Sequence, residues 1–338
     1  MVMGTKPATG HVWLGIDVGS VTTKVVAVSE TGAILAHICH ETMGQPARQV
    51  VRGLVELGSR LAEIRRKPRV RGVGTTGSGR SLAAALVGGD VVKNEITAHA
   101  VAALDLVPDV RTVLEIGGQD SKIILLRDGG VSDFAMNTVC AAGTGSFLDR
   151  QAARLGLAPA ELGELALRSK RPVRIAGRCA VFAETDMVHQ QQIGHAVEDI
   201  VAGLCQALVR NYLNNLAKGK DLEPPFVFQG GVAANRGMVA AFEGTLGHPV
   251  TVPEHHVLMG AFGAALLAKE ASLASTRFRG FGLGRMEHQT ASFDCDGCPN
   301  ACEITELRVD GAVAARWGGR CDRWQRQGSP AREAGVEA

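Results

Sequence analysis

The stretch from residue 115 to residue 147 places groups suited to two kinds of chemistry close together. It opens with the glycine-rich turn EIGGQD, where glycine lets the backbone approach an anion and Gln119 and Asp120 can orient water or a metal ion. Cys140 follows, directly before a segment whose apolar residues recur at helical spacing. The dipole at the start of a helix stabilises a thiolate. The stretch therefore predicts nucleotide chemistry and redox chemistry as neighbours.

A second acidic glycine turn, GIDVGSVTTK, lies near the start of the chain. Residues 12–17, 23–28 and 33–38 are predicted strands, so that Asp17 ends one strand and the turn leads into a hairpin. Such a turn can direct backbone N–H groups at phosphates while the carboxylate holds Mg²⁺ through water. Taken alone, the pattern is more often that of an ordinary turn after a strand.

The two turns belong to an internal repeat. Asp17 is followed by Gly19, Lys24 and Gly32, and Glu115 by Gly117, Lys122 and Gly130, at offsets of 2, 7 and 15 residues in both cases. Each segment has the predicted order strand, glycine turn, strand, turn, strand. The repeat predicts a duplicated α/β unit, with two acid-bearing phosphate turns directed into one cleft.

The elements that position these turns are predicted from periodicity. Helical spacing covers residues 47–66, 196–217 and about 258–269, and a basic run at 65–67 suits a helix C-terminus. Further strands run into glycine-rich turns within residues 69–80 and 226–238. Four side chains are interpreted as structural: Cys39 and Cys205 as core residues, and His255 and His256 as exposed loop residues.

Composition limits the classes of protein to consider. A chain of 338 residues with 46% hydrophobic and 21% charged residues suits a globular protein of about two domains. A net charge of +2 and 4% aromatic residues give no support for nucleic-acid binding. We find no apolar run of about 20 residues and no secretory signal, and therefore predict a cytoplasmic protein without a membrane span. In such a reducing compartment, eight cysteines favour metal ligation or catalysis over disulfides.

The last segment, residues 271–338, holds half of these cysteines. They are Cys295, Cys298, Cys302 and Cys321, in a C-x2-C-x3-C cluster with a later partner across a predicted hairpin. This spacing predicts a metal site and leaves zinc and an iron–sulfur cluster open. A segment with so few core residues would need a staple to fold. The alternative is a set of reactive surface thiols on an inert tail.

Several motifs together resemble a known family. DVGS from Asp17, EIGGQD from Glu115 and GGV from Gly230 occur in the order typical of the superfamily of acetate kinase, sugar kinases, actin and the heat-shock chaperones. CAAGTGSFLDR from Cys140 and CAVFAETD from Cys179 resemble the ATP-dependent activators of 2-hydroxyacyl-CoA dehydratases and the related benzoyl-CoA reductase subunits. The resemblance covers about residues 11–270.

The resemblance implies a fold and a mechanism. The expected fold is α/β, with duplicated ribonuclease H-like units at residues 11–108 and 109–270 around an ATP cleft, and a Cys-rich tail at 271–338. The expected assembly is a homodimer that shares one four-iron four-sulfur (4Fe–4S) cluster, held by Cys140 and Cys179 of each chain. ATP binding would close the units, and the cluster's electron, supplied by a ferredoxin or flavodoxin, would pass to a dehydratase or benzoyl-CoA reductase-like partner.

The resemblance also assigns roles to particular residues. Asp17 would position Mg²⁺, and Gln119 or Asp120 the attacking water. The residues expected to hold ATP or ADP are Ser20, Thr22, Thr23, Lys24, Gly117, Gly118, Gly143, Gly145, Gly230, Gly231 and Asn235. One departure is His256, which stands where relatives often have a glutamine near the adenine.

Two other functional classes are open at this point. A small-molecule kinase of the same superfamily, such as one acting on amino sugars, explains the phosphate turns but gives Cys140 and Cys179 no role. A non-catalytic, nucleotide-dependent scaffold would use the cysteine tail to recruit a partner. Turnover of ATP and phosphorylation of an added acceptor distinguish these classes from the activator.

Overall fold

The structure, a computed structural model, describes residues 10–64, 68–137, 139–285, 287–309, 311–321, 323 and 324. The chain divides into two compact units. The first unit comprises residues 1–94 and 264–338, and the second comprises residues 95–263. The basic run 65–67, predicted to end the first helix, lies outside the described residues.

The first unit is built around a five-stranded sheet. Its strands are β1 (His11–Val18), β2 (Thr22–Val28), β3 (Ile34–Glu41), β4 (Arg69–Thr76) and β5 (Val91–Val92), and its first helices are α1 (Pro46–Ile64) and α2 (Arg80–Val87). The strand order is β3-β2-β1-β4-β5, with an antiparallel β1-β2-β3 ribbon and parallel β1-β4-β5 pairing. The stripe of α1 that packs on this sheet is fully buried: Val50, Leu54, Leu57 and Leu61.

One core prediction in this unit is wrong. Cys39, interpreted as a core residue, is exposed. It lies on β3, the edge strand of the sheet, where Ala36 and Ile38 face inward. Because successive side chains of a strand point to opposite faces, Cys39 faces away from the core.

The second unit repeats this architecture. Its strands are β6 (Thr112–Ile116), β7 (Ser121–Arg127), β8 (Gly130–Asn137), β9 (Phe226–Gln229) and β10 (Val250–Thr251), in the order β10-β9-β6-β7-β8. Its helices are α3 (Glu95–Leu106), α4 (Gly145–Leu155), α5 (Leu162–Arg168), α6 (Ala180–Gln192), α7 (Val197–Leu216) and α8 (Arg236–Leu246). The boundary between the units falls within α9 (Met259–Glu270).

The register of the two sheets explains the repeat. Asp17 pairs with Lys24 across β1 and β2, and Glu115 pairs with Lys122 across β6 and β7. The hairpin turns close in the same way, since Gly19 N donates to Thr22 O at 3.0 Å and Gly117 N donates to Asp120 O at 3.0 Å. Opposite charges directly across a ladder stabilise that register. The predicted duplication of an α/β unit is confirmed.

Helix α7 forms the centre of the second core. Its 20 residues are buried over most of their surface, and Tyr212 packs edge-on against Phe242 of α8 with ring centroids 5.4 Å apart. Cys205, predicted to be a core residue, is 1% exposed. Because α7 is rigidly packed, it can serve as a support for the loops that contact it.

The Cys-rich tail forms a small sheet that packs on the first unit. Strands β11 (His288–Asp294), β12 (Glu303–Val309) and β13 (Ala312–Trp317) are antiparallel in that order. Leu307 and Val309 of β12 join the core of the first unit, and β12 and β13 contact α2. The predicted hairpin is present.

None of the helices in the described part of the chain has the length and apolar character needed to span a membrane.

Candidate nucleotide and cysteine sites

The turn after β1 places the Asp17 carboxylate close to two accessible hydroxyl groups, those of Ser20 and Thr22. Asp17 is 6% exposed and its Oδ2 accepts a hydrogen bond from Lys24 Nζ at 3.0 Å. Ser20 is exposed and Thr22 is half-buried, whereas Thr23 is 1% exposed. The Thr23 hydroxyl lies 3.0 Å from that of Thr42, which donates to the Gly19 carbonyl. Thr23 therefore braces the turn from the inside, and Ser20 and Thr22 are the accessible hydroxyls.

A second glycine-rich loop meets this turn within the first unit. It follows β4, whose Thr76 lies opposite Asp17 in parallel register. At Gly77, with φ +89°, a Cβ would lie 2.7 Å from Asp17 Oδ1, so a side chain there would displace the carboxylate. The loop is tied to β1 by Gly79 N, which donates to Val18 O at 2.9 Å. Thr76 is fully buried, and its hydroxyl has no hydrogen-bond partner among the described residues.

The corresponding turn of the second unit is organised by a buried lysine. Lys122 is 2% exposed, and its Nζ lies 2.8 Å from Glu95 Oε2, 3.2 Å from Glu115 Oε2 and 2.8 Å from Asp120 Oδ2. Burial alone would lower the pKa of Lys122, but the carboxylates of Glu115, Glu95 and Asp120 hold that pKa well above its usual value. Three carboxylates around one ammonium leave the cluster with excess negative charge. Gln119, at the tip of the turn, is exposed.

One contact from α7 holds the backbone of the buried lysine in place. The Tyr212 hydroxyl donates to Lys122 O at 2.5 Å. A second buried polar pair lies next to Glu115 along the sheet. Gln229, opposite Glu115, lies with its Nε2 2.8 Å from His99 Nδ1, while its Oε1 has no hydrogen-bond partner among the described residues.

Most of the predicted nucleotide glycines of the second unit line one pocket of about 360 Å³. Its polar and small lining residues are Gly117, Gly118, Gly145, Asp149, Gly231 and Asn235. Two turns form part of its wall, because Gly145 N donates to Gly117 O and Ser146 N donates to Gly118 O, both at 2.9 Å. Apolar residues, among them Leu148 and Val232, complete the lining. A pocket with apolar walls and glycine edges suits a nucleoside with its phosphates.

The third glycine turn has a strained geometry that only glycine meets. Gly230 has φ +91°, and a Cβ there would lie 2.4 Å from Ile116 O. At Gly231 a Cβ would meet no atom within 4 Å, so its open side faces the pocket. Asn235 begins α8, where its Oδ1 accepts from Met238 N at 3.1 Å.

The prediction that His255 and His256 are exposed loop residues is wrong, because both are half-buried. The Nδ1 of His256 lies 2.8 Å from Gly230 O. The backbone adds a second link, since Gly230 N donates to His256 O at 2.9 Å. His256 therefore holds the glycine turn in place through two contacts with Gly230.

Cys140 and Cys179 of the second unit lie in loops that contact the same residue of α7. Cys140 precedes a 3-10 turn at Ala141–Gly143, and Cys179 is the N-cap residue of α6. Both side chains are half-buried. Asn211 of α7 donates to Gly177 O at 2.7 Å, and its Oδ1 would lie 2.9 Å from a Cβ at Gly143. The two cysteine loops therefore meet at one asparagine.

Asn137 anchors the Cys140 loop from its other side. Its Nδ2 donates to Cys140 O at 2.7 Å, and its Oδ1 accepts from Cys140 N at 2.9 Å. Gly143, predicted to contact the nucleotide, lies against Asn137 and Asn211 and is not among the lining residues of the glycine pocket. The geometry thus associates Gly143 with the cysteine loops.

Comparison with known proteins decides the family. The chain matches the BadF/BadG/BcrA/BcrD ATPase family over residues 14–268. It belongs to that family. The predicted resemblance and the predicted α/β fold of duplicated ribonuclease H-like units are both confirmed.

Its relatives in the family include activating ATPases. The chain is 34% identical over 259 residues to the (R)-2-hydroxyglutaryl-CoA dehydratase activating ATPase of Acidaminococcus fermentans, covering 75% of this chain and 96% of that one. The activator of the 2-hydroxyisocaproyl-CoA dehydratase from Clostridium difficile, solved with bound ADPNP, aligns with a TM-score of 0.70 and 31% identity over 77% of this chain and 95% of that chain. The uncharacterized protein MJ0800 of Methanocaldococcus jannaschii is 33% identical over 261 residues, which cover 75% of this chain and 61% of that protein.

Exposed apolar side chains lie close in sequence to both Cys140 and Cys179. Val139, next to Cys140, is 95% exposed, and Val181 and Phe182, just after Cys179, are 68% and 64% exposed. Beside Phe182 lies a basic depression of about 570 Å³, lined by residues that include Arg174, Arg178 and Arg210. Burial, followed by the charge of Arg174, lowers the pKa of Arg210. Apolar and cationic groups in one surface suit a protein contact.

Sequence reasoning missed several residues of these sites. Glu95 and Lys122 complete the acidic cluster, His99 and Gln229 form a buried polar pair next to it, and the loop from Thr76 to Gly79 meets Asp17. The loop could have been assigned to the site from the sequence, because it is a glycine-rich turn directly after a predicted strand. The cluster could have been found from Lys122, which is the repeat partner of Lys24.

Proposed function

We propose that this chain is an ATP-hydrolysing iron–sulfur protein that donates a low-potential electron to a partner 2-hydroxyacyl-CoA dehydratase, or to a related acyl-CoA reductase, and so activates it. Membership of an ATPase family supports the hydrolysis, and relatives named as dehydratase activators support the role. One observation carries the redox part. Gly143, three residues after Cys140, and Gly177, two residues before Cys179, both lie against Asn211 of α7, within the unit that also holds the glycine pocket.

Each unit supplies a turn suited to phosphate and magnesium. In the first unit, Asp17 would hold Mg²⁺ through water, Lys24 would keep the carboxylate ionised and oriented, and Ser20 and Thr22 would donate to phosphate. Thr23 is left out of this set because its hydroxyl is buried against Thr42. Thr76 adds a buried hydroxyl beside Asp17.

In the second unit, Gln119 is the better candidate for orienting the attacking water. Its side chain is exposed at the tip of the turn, whereas the Asp120 carboxylate is engaged by Lys122 at 2.8 Å. Lys122 therefore holds Asp120 as an oriented hydrogen-bond acceptor. The glycine pocket would take the nucleoside, with Gly231 and Asn235 at its edge.

The two cysteines suit a cluster shared between two chains. One chain provides two of the thiolates that a 4Fe–4S cluster requires, and a copy related by twofold symmetry would provide the other two. Among the described residues, no three His, Cys, Asp or Glu side chains form a metal site. When bound, the cluster would supply a one-electron donor of low potential. Asn137 and Asn211 would hold the two ligand loops in register with each other.

The surface around the cysteines would bind the partner proteins. Val139, Val181 and Phe182 would be covered by the second copy, since large apolar side chains at such exposure are costly in a free surface. The arginines of the basic depression would contact an acidic face of the dehydratase or of a ferredoxin or flavodoxin donor. Both contacts lie close to Cys179, which keeps the electron path short.

Iron content and electron paramagnetic resonance (EPR) of anaerobically purified, reduced protein test this proposal. We expect about four irons per two chains and a cluster signal in the wild type. Cys140→Ser and Cys179→Ser should each abolish the signal, while Cys39→Ser, a change at an exposed cysteine of the first unit, should leave it intact. A cluster that survives Cys140→Ser, or a folded protein that takes up no iron on anaerobic reconstitution, would refute the proposal. Phosphorylation of an added sugar would then favour the kinase.

A further inference from the structure

The tail brings its four cysteines to one end of a small sheet. Asp294, at the end of β11, pairs with Glu303, at the start of β12, and Thr305 of β12 pairs with Trp317, at the end of β13. Cys295, Cys298 and Cys302 lie in the connection between β11 and β12. Cys321 follows the end of β13 by four residues. These residues lie beyond the part of the chain that matches the ATPase family, residues 14–268.

Backbone contacts close the two cysteine segments onto each other. Cys295 N donates to Cys302 O at 2.8 Å, which draws the ends of the first loop together. At Gly318, with φ +106°, a Cβ would lie 2.3 Å from Glu303 O. At Gly319 a Cβ would lie 3.4 Å from the side chain of Ile304. The chain after β13 therefore turns across the start of β12, beside Cys302, and only glycine permits so close an approach.

The sulfur of Cys295 lies in an environment suited to a metal-bound thiolate. Cys295 is 8% exposed, and its Sγ accepts hydrogen bonds from Gly297 N at 3.4 Å and Trp324 Nε1 at 3.1 Å. Hydrogen bonds of this kind orient a ligand and spread its charge. The guanidinium groups of Arg316 and Arg323 lie 5.2 and 5.4 Å from the centre of the Trp324 ring. Both arginines also pair with carboxylates, Arg316 with Glu306 and Arg323 with Asp296, so that they hold the Trp324 ring in place beside the sulfur of Cys295.

We propose that Cys295, Cys298, Cys302 and Cys321 bind one zinc ion that fastens the tail sheet to the first unit. In the structure these side chains do not yet surround a common point, so the ion would draw the exposed Cys298 and Cys321 inward. We choose a single tetrahedral zinc ion because the C-x2-C spacing of Cys295 and Cys298 and the C-x3-C spacing to Cys302 fall within the two to four residues that separate paired cysteines in structural zinc sites.

The ion would stabilise a packing interface and would not take part in the chemistry. Ile304 and Leu307 of β12 are fully buried, and Leu307 belongs to the core of the first unit. A three-stranded sheet of this size has too little core to hold itself together, so a metal staple compensates. Loss of the ion would free the hairpin and uncover the face of α2 on which β12 and β13 pack.

Metal analysis of the full-length chain, dialysed against a weak chelator, tests the proposal. We expect about one zinc per chain in the wild type. Cys298→Ser and Cys321→Ser should lose most of it and expose the tail to a protease. Cys39→Ser and Cys140→Ser should keep it, so a failure of the redox proposal would not affect the result. Zinc retained in both Cys298→Ser and Cys321→Ser, or iron in place of zinc at these positions, would overturn the assignment. A folded wild type without zinc would do the same.

Discussion

Replacing Lys122 by methionine removes the ammonium group that the three carboxylates of the acidic cluster share. The Lys122 ammonium is 2% exposed and contacts carboxylates of Glu95, Glu115 and Asp120. Methionine keeps most of the volume but leaves three carboxylates facing one another. Removing one partner of a buried ion pair costs about 3–5 kcal/mol. Asp120 is 35% exposed, so solvent relieves part of its charge and a loss near the middle of that range is expected.

The aromatic residues allow each unit to be followed separately during urea unfolding. The single tyrosine, Tyr212, lies in the second unit, and the three tryptophans, Trp13, Trp317 and Trp324, lie in the first. Lys122→Met should shift the tyrosine transition by about 3–5 kcal/mol. Lys24→Met is the matched control at the same repeat position, where the ammonium is 17% exposed and contacts Asp17. It should shift the tryptophan transition by only about 1–2 kcal/mol.

The pH dependence gives a second readout. Because folding raises the pKa of Lys122, the stability that this side chain contributes is fully present below the unfolded pKa of about 10.5. That contribution to the free energy of unfolding is therefore constant between about pH 5 and pH 7. In Lys122→Met, burial and mutual repulsion should raise the pKa of the carboxyl groups above the unfolded value of about 4. The folded variant then takes up protons first, and its deficit shrinks as the pH falls. A loss of unfolding free energy in Lys122→Met below about 1 kcal/mol, or a loss that grows as the pH falls, would refute the contacts between Lys122 and the three carboxylates.

Three further predictions concern activity and assembly. Asp17→Asn should lower the rate of phosphate release from ATP by about 100-fold with an unchanged circular dichroism spectrum, and an unchanged rate would contradict the Mg²⁺ role. Gly231→Ala should fold normally, because its Cβ meets no atom within 4 Å, but weaken nucleotide binding by about tenfold in calorimetry. Gly244→Ala, equally unobstructed but on α8 outside the pocket, should bind normally, and equal affinities would remove Gly231 from the site. Phe182→Ser should shift the protein from dimer toward monomer in analytical ultracentrifugation, whereas an unaltered dimer would place the interface elsewhere.

The repeat made the duplicated architecture predictable. Offsets between an acid, a glycine and a lysine are set by strand pairing, because a hairpin loop of fixed length brings residues of fixed separation opposite each other. This is why Asp17 and Lys24 and, in the second unit, Glu115 and Lys122 lie in register. The cysteine loops were found from their motifs, and the structure then showed the asparagines that hold them.

Other features depend on contacts that a local pattern does not contain. Glu95 meets Lys122 only because α3 begins beside β7, and Gly77 meets Asp17 only because β4 is the parallel neighbour of β1. Cys39 is exposed because it lies on the face of β3 opposite to Ala36 and Ile38. His256 lies apart from other site residues in the sequence, yet the fold returns it to Gly230. In each case a contact between segments distant in sequence, or the face that a strand turns to the core, decides the environment.

EPR of the reduced protein before and after addition of ATP shows whether nucleotide chemistry governs a redox centre at Cys140 and Cys179. We expect a cluster spectrum that changes on ATP addition in the wild type and stays unchanged in Asp17→Asn. A wild-type spectrum that is identical with and without ATP, under conditions in which the protein hydrolyses ATP, would contradict the coupling of the two sites.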